Sequence, residues 1–359
     1  MKKTKLLLLL IISTSFTMCT KNDTIAIDYK KEIIKSVSDQ IILPRINVLL
    51  EKTKELEVSL TDFSTQTNEK NLINAQNKLT EITKLYAKLY AFNIGDIKDN
   101  FINRRINFWP VYNISIEKKI TTGSFTKQSI ANSGSATKNL PSLNYLLFKF
   151  NSPDKVLSDY NNSANRMRFL LTTFEEFKEL VQKLNTIWLS KNNSFAEKFK
   201  NNTDKGLNSS FNQLFNGLYN VVDNCKVTKV GKPAGLERSS HVNNEIVENY
   251  YTGNSKELIY ENILAIEELF FSKDITSISD YIKSVTKNNE LNTAILTKIN
   301  DIKNIITNDI KTPLKDAVSD DKENVKKLYN SLKELLVLLH NDVRSTLSII
   351  ITGTDNDGD

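Results

Sequence analysis

The chain has 359 residues, a formal charge of +6, and only 10 glycines, 6 prolines and 2 cysteines. Sparse Gly and Pro beside abundant Asn, Lys, Leu and Ile exclude a turn-rich β protein and favour long helices. The lysines are scattered among acidic residues, with no basic stripe and no interleaved aromatics, so no nucleic-acid partner is expected.

The first residues read as a targeting segment. Lys2, Lys3 and Lys5 precede an apolar run from Leu6 to Ile12, then small and polar residues, then Cys19. This is the pattern of a secretory signal over residues 1–18, too short and too early for a spanning helix. A cysteine at the cleavage point also reads as a lipidation site. Phe16, Thr17 and Met18 before it are looser than the usual Leu-Ala-Gly, and the alternative is an ordinary secretory signal with an incidental cysteine. Acyl chains on Cys19 would make the protein membrane-anchored rather than spanning, held on a bacterial outer membrane in the cell envelope. Loss of the signal removes three lysines and lowers the charge from +6 to +3. Cys225 would then be the one remaining thiol, unable to form an intrachain disulfide and best read as a small half-buried hydrophobe.

The remaining length suggests two domains: a tether over 19–28, an N-terminal helical bundle over 29–203 and a C-terminal one over 204–359. The expected fold is all-α, two helical bundles side by side with a cleft between them. Ile33, Ile34, Val37, Ile41, Ile46, Leu49 and Leu50 keep to one broad helical face, which Pro44 should kink or break. Further helices are predicted over about 69–92, 141–149 and 153–189, the last with Pro153 near its start. In the second half they span Leu207–Val222, 255–271 with Ser255 as N-cap, 275–286, 288–308 and a long final run over 319–351. That run places Leu328, Leu332, Leu335, Leu339 and Val343 at three- and four-residue steps, a bundle seam. No later stretch is long and apolar enough to cross a bilayer.

Two long segments, about 93–140 and 226–254, break the helical pattern. Loops of that length in a compact protein are functional or disordered, and these carry Trp109, Pro110, Gly231, Pro233, Gly235, Tyr250 and Tyr251. Familiar catalytic arrangements are missing. The two histidines, His241 and His340, form no His-Glu-x-x-His zinc pattern, and no nucleophile elbow, phosphate loop or dinucleotide fingerprint occurs. Glu175, Glu176 and Glu179 read as a solvated helix face. At the end of the chain, Asp355, Asp357 and Asp359 around Gly358 resemble the opening of a calcium loop. A frayed acidic tail is the alternative.

Four separated stretches carry a family resemblance. They are Arg105-Ile106-Asn107-Phe108-Trp109-Pro110; Leu140 to Phe148; Lys229 to Gly235 followed by Val247-Glu248-Asn249-Tyr250-Tyr251 and Ser255; and Asp342-Val343 with Ile351 and the closing Asp355 to Asp359. Together they resemble the imelysin-like family (peptidase family M75), specifically its lipoprotein branch. The resemblance implies two helical bundles with a cleft where the two long segments meet the helix at 141–149. It also implies an iron- or haem-acquisition context. One departure is chemical. Pro141 falls where the family's Gly-x-His-x-x-Glu motif has its histidine, Asn144 where it has its glutamate, and Asn139 replaces the glycine. Proline has no ligand atom, and asparagine cannot act as a general base.

The expectation is therefore a non-enzymatic lipoprotein that binds a small ligand or metal, with iron or calcium as candidate ions. Its candidate contacts are Arg105, Trp109, Pro141, Asn144, Lys229 and Glu248, the loop residues Gly231, Pro233 and Gly235, and Tyr250, Tyr251 and Ser255. Aromatic rings would supply stacking area, and Arg105 and Glu248 would fix a polar group. The alternatives are a metal-dependent peptidase and a structural adaptor with an envelope protein partner.

Overall fold

The computed structural model describes residues 27–189 and 194–353. Residues 1–18, read as a signal, Cys19 after them, and the acidic tail with Asp355, Asp357 and Asp359 lie outside the described residues. Among the described residues there are helices and no strand, and no helix is long and apolar enough to cross a membrane.

The chain enters through α1 (Tyr29–Ser36), capped by the Asp28 carboxylate on the Lys31 amide. A π-helical turn, Val37–Ile42, joins it to α2 (Leu43–Thr65), with Pro44 in the first turn. The expected break at Pro44 takes the form of this wider turn. The Leu43 amide bonds to the Ser38 carbonyl, five residues back. A local π-helical step is one way a helix absorbs a residue that lacks an amide donor. Asn68 caps α3 (Glu69–Leu89), which folds back along α2.

The first segment read as a loop is mostly short helices: α4 (Gly95–Asp99), α5 (Ile102–Ile106), α6 (Asn113–Thr122) and α7 (Lys127–Ala131). Each is tacked to the core by buried isoleucines: Ile97, Ile102, Ile106, Ile116, Ile120 and Ile130. A helix of one or two turns is unstable alone and depends on such burial. Next come α8 (Leu140–Phe148), α9 (Pro153–Asn161) and α10 (Ala164–Leu189); the single helix expected over 153–189 is interrupted at Asn162 and Ser163.

The second half holds α11 (Phe195–Asn201), α12 (Ser210–Asn224), α13 (Ser255–Phe271), α14 (Ile278–Thr286), α15 (Glu290–Asn304), α16 (Leu314–Asp320), α17 (Lys322–Val337) and α18 (Arg344–Leu347). α12 runs on as a π-helical segment, Cys225–Gly231, so the second irregular segment begins later than expected. The long final helix is likewise divided. Asp321 caps α17 through the Asn324 amide, and π-helical Leu338–Val343 leads into α18. Its apolar seam is buried as predicted.

α2, α3, α8 and α10 pack as one bundle, and α12, α13, α15 and α17 as a second. Helix α13 lies along α3, α1 packs on α12 and α14, and the buried side chains of both halves form one continuous core.

Candidate functional site

A cleft of about 230 Å³ opens where the Trp109–Val111 strip, the first turns of α8 and the segment from Asn243 to Tyr251 meet. Asn139 positions the first two. Its side-chain oxygen caps α8 by accepting from the Ser142 amide at 3.1 Å, and its amide nitrogen donates to the Phe108 carbonyl at 2.7 Å. Pro141 occupies the first turn of α8, where a missing amide costs nothing. Asn144 lies one turn on, 1% exposed. Its Nδ2 donates to Asn249 Oδ1 at 3.0 Å, and Asn249 Nδ2 donates to Asn254 Oδ1 at 3.2 Å. Asn249 has φ +52°, a left-handed conformation that asparagine tolerates better than most residues. Asn144 Oδ1 is buried yet has no hydrogen-bond partner, and a buried acceptor without a partner carries a desolvation cost.

Aromatic rings form the wall. Tyr251 meets Tyr145 edge-on at 4.8 Å and Tyr250 at 5.3 Å. Asn113 Nδ2 donates to the Tyr251 hydroxyl at 3.0 Å. Burial pushes the Tyr251 hydroxyl above its usual pKa, so it keeps its proton at neutral pH. Behind Tyr145 is a charged cluster: its hydroxyl donates to Glu117, whose other oxygen pairs with Arg166 at 2.6 Å.

Beneath Trp109 lies a buried ion pair. Lys229 Nζ is 2.7 Å from Glu248 Oε2, with the side chains 2% and 1% exposed. Asn107 donates to Glu248 Oε1 at 2.8 Å, and Lys229 donates to Asn262 Oδ1 at 2.7 Å. Asn262 in turn donates to the Ala87 carbonyl at 2.7 Å. The ammonium also lies 5.7 Å from the ring centres of both Tyr90 and Trp109. Each buried charge thus has a neutral hydrogen-bonding partner besides the other charge, which offsets part of the cost of taking the pair out of water. Ser255, expected as an N-cap, is instead the first residue of α13; its hydroxyl donates to the Glu248 carbonyl. Cys225 is fully buried rather than half-buried, and burial pushes its thiol up to about 12.

A family model described as imelysin, peptidase family M75, matches residues 42–339. The chain belongs to the imelysin family. Two solved structures share its fold. One, from Parabacteroides distasonis, is named for an iron-regulated protein A precursor; it is 18% identical with a TM-score of 0.73, over 89% of this chain and 95% of that one. The other, an imelysin-like protein from Psychrobacter arcticum, is 17% identical with a TM-score of 0.67, over 90% of this chain and 97% of that one. No curated protein matches the chain.

Within this imelysin the predicted site residues fall into two groups. Trp109, Pro141, Asn144, Tyr250 and Tyr251 line the cleft. Lys229, Glu248 and Ser255 form the buried layer beneath it and are absent from the lining. Arg105 points elsewhere, to Glu176 at 3.2 Å. Glu176, expected on a solvated face, is buried and also takes the Lys138 ammonium at 3.3 Å. Gly231, Pro233 and Gly235 shape the approach to the loop. A Cβ at Gly231 would lie 2.7 Å from the Lys226 carbonyl oxygen, Pro233 O accepts from the Asn243 amide at 2.8 Å, and Gly235 turns the chain at φ +68°. The sequence reading missed Asn113, Asn243, Glu245 and Asn249, all in the lining. Asn249 stands inside the quoted Glu-Asn-Tyr-Tyr run and could have been found there; nothing marks the other three.

The imelysin motif raises the question of a catalytic metal. Such a centre takes three or more N, O or S ligands and one open position. Here Pro141 offers no donor atom and Asn144 one neutral oxygen. Glu248 is occupied by Lys229 and Asn107. Among the described residues no three His, Cys, Asp or Glu side chains converge. The cleft residues do not fit a catalytic metal, and no hydrolytic step follows from them.

Proposed function

We propose that this imelysin is a cell-envelope lipoprotein, anchored through Cys19, that binds a small ligand in the cleft and does not hydrolyse peptides. The observation that carries the reading is the cleft itself, which brings the rings of Trp109, Tyr250 and Tyr251 together with the side-chain amides of Asn113, Asn144 and Asn249. Pockets that bind small molecules combine apolar rings with a few placed polar groups of this kind. The Parabacteroides relative is named for iron regulation, which supports an iron-linked role for this protein.

Native mass spectrometry of the purified mature protein, with elemental analysis, tests the binding function. A small organic adduct lost on mutation of Tyr251 is expected. In parallel, a peptide-cleavage assay with and without chelator should show no turnover; chelator-sensitive cleavage would restore the metallopeptidase. For the anchor, Cys19→Ser should move the protein from the detergent phase to the aqueous phase, and unchanged partition would remove lipidation from the account.

A further inference from the structure

We infer that the face shared by α1 and α14, where the described chain begins, rests on the headgroup layer of a lipid bilayer. The inference rests on the anchor at Cys19 proposed above and adds the surface that the anchor brings to the membrane.

Reach comes first. Ile27 stands eight residues after Cys19. A chain gains at most about 3.6 Å per residue, so acyl groups on Cys19 would keep Ile27 within about 29 Å of the bilayer. The protein is longer than that. Backbone dihedrals stay helical where α1 meets the π-helical turn and where that turn meets α2. At about 1.5 Å per residue this run places Val58 roughly 40 Å from Tyr29. The anchor therefore favours contact at the α1 end of the run over the far end of α2.

The side chains at that end suit a bilayer surface. Ile27 is 60% exposed. Tyr29, half-buried, stacks on Tyr281 of α14 with ring centres 5.7 Å apart and planes 10° apart. Tyr281 in turn meets the buried ring of Phe211 edge-on at 5.7 Å, and the Lys30 ammonium lies 5.5 Å from the same ring. Val285 follows Tyr281 by four residues, on the same face of α14, and is 46% exposed. Tyrosine has an apolar ring and a polar tip, which places it at headgroup level, and aliphatic side chains beside it enter the boundary with the acyl chains.

Charge agrees with an anionic lipid surface. The two helices and their caps carry Lys30, Lys31, Lys35, Lys283 and Lys287 against Asp28, Glu32 and Asp280. Two of those carboxylates are engaged locally: Asp28 accepts from the Lys31 amide, and Asp280 accepts from Ser277. Lys31 and Lys283 are exposed, free to reach headgroup phosphates.

The test uses the full protein as purified from cell membranes, placed in vesicles of phosphatidylethanolamine and phosphatidylglycerol that include nitroxide-bearing headgroups. A fluorophore is attached at one of two exposed positions, Val285→Cys or Val58→Cys; Cys225 is buried and stays unlabelled. The label at 285 should be quenched several-fold more strongly than the label at 58. Tyr29→Ser should bring the quenching at 285 down towards the level at 58 while the protein still floats with the vesicles. Weak quenching at both positions, with the protein on the vesicles, would show that it swings free on its tether and would overturn the docking face alone. Strong quenching at both would mean that the helical run lies flat on the bilayer, and an unchanged signal in Tyr29→Ser would mean that contact does not pass through the stacked tyrosines; either overturns the face. Failure of the protein to float with the vesicles would remove the anchor and the docking face together.

Discussion

At the level of single residues, the pair Lys229 and Glu248 matters most because it is buried and because Trp109 rests on it. Removing one member leaves the other charged, desolvated and unpaired. Lys229→Met is therefore expected to cost about 3–5 kcal/mol in urea denaturation. Replacing both, as Lys229→Met with Glu248→Leu, should recover most of that loss, since apolar side chains of similar volume need no partner. A double variant as unstable as the single one would show that the pair does more than balance charge. Glu117 gives a pH signature. Burial alone would raise its carboxyl, but the hydrogen bonds from Tyr145 and Arg166 and the charges of Arg166 and Lys149 outweigh it and hold the carboxyl below its ordinary value of 4.5. As pH falls, the unfolded chain takes up this proton before the folded one. The stabilising contribution is thus complete above the unfolded value and disappears as pH drops through the folded value. Glu117→Gln should lower stability near pH 7 and flatten the acid limb of a stability profile taken between about pH 3 and 7. An unchanged slope would contradict the assigned network.

At the level of elements, what could be read in the sequence depended on length. Helices such as α3, α10, α13 and α17 show their period over several turns, and the structure has them close to where the apolar stripes fall. The five-residue helices α4, α5 and α7 present less than two turns each, too few to separate a helical period from an irregular loop. Their helicity is imposed by the core through residues such as Ile97 and Ile130. The same division applies to the site. Trp109, Tyr250 and Tyr251 could be picked out because large rings in a supposed loop are unusual. Asn113, Asn243 and Glu245 could not, since asparagine and glutamate are ordinary loop residues and only the fold brings them together. Gly217 illustrates how an element can override its own propensity. In the interior of α12, replacement by alanine should help by about 1 kcal/mol. Here the added Cβ would collide with the Ala91 carbonyl oxygen, backbone that cannot swing aside, where α12 packs on the turn Tyr90–Phe92. Overpacking of that kind costs about 1–3 kcal/mol. Gly217→Ala should therefore destabilise, by roughly 1–2 kcal/mol, and a rise in Tm would mean that α12 and the turn can separate at no cost.

At the level of the whole molecule, the two bundles are coupled by more than proximity. The cleft takes Trp109, Asn113 and Asn144 from the first half and Tyr250 and Tyr251 from the second. The layer beneath it is shared as well: Asn107 reaches Glu248, and Asn262 reaches the Ala87 carbonyl. Helix α1 opens the chain but packs on α12 and α14, with Ile33 and Ile34 fully buried. Opening the halves would expose this continuous apolar surface at about 25 cal/mol per Å² and would leave the crossing hydrogen bonds unmade. Neither half should persist once the other has unfolded. Two independent probes can check this. Both tryptophans, Trp109 and Trp188, lie in the first half, so their fluorescence reports on it. Cys225 lies in the second, buried and with its thiol raised to about 12, so it should resist iodoacetamide at about pH 8 until its surroundings open. In a urea series the two midpoints should coincide, and Ile34→Ala, which removes a buried side chain at a cost of about 2–5 kcal/mol, should lower both together. Cysteine labelling that runs ahead of the fluorescence change would mean that the second bundle unfolds on its own, and that the cleft can be taken apart without unfolding the first.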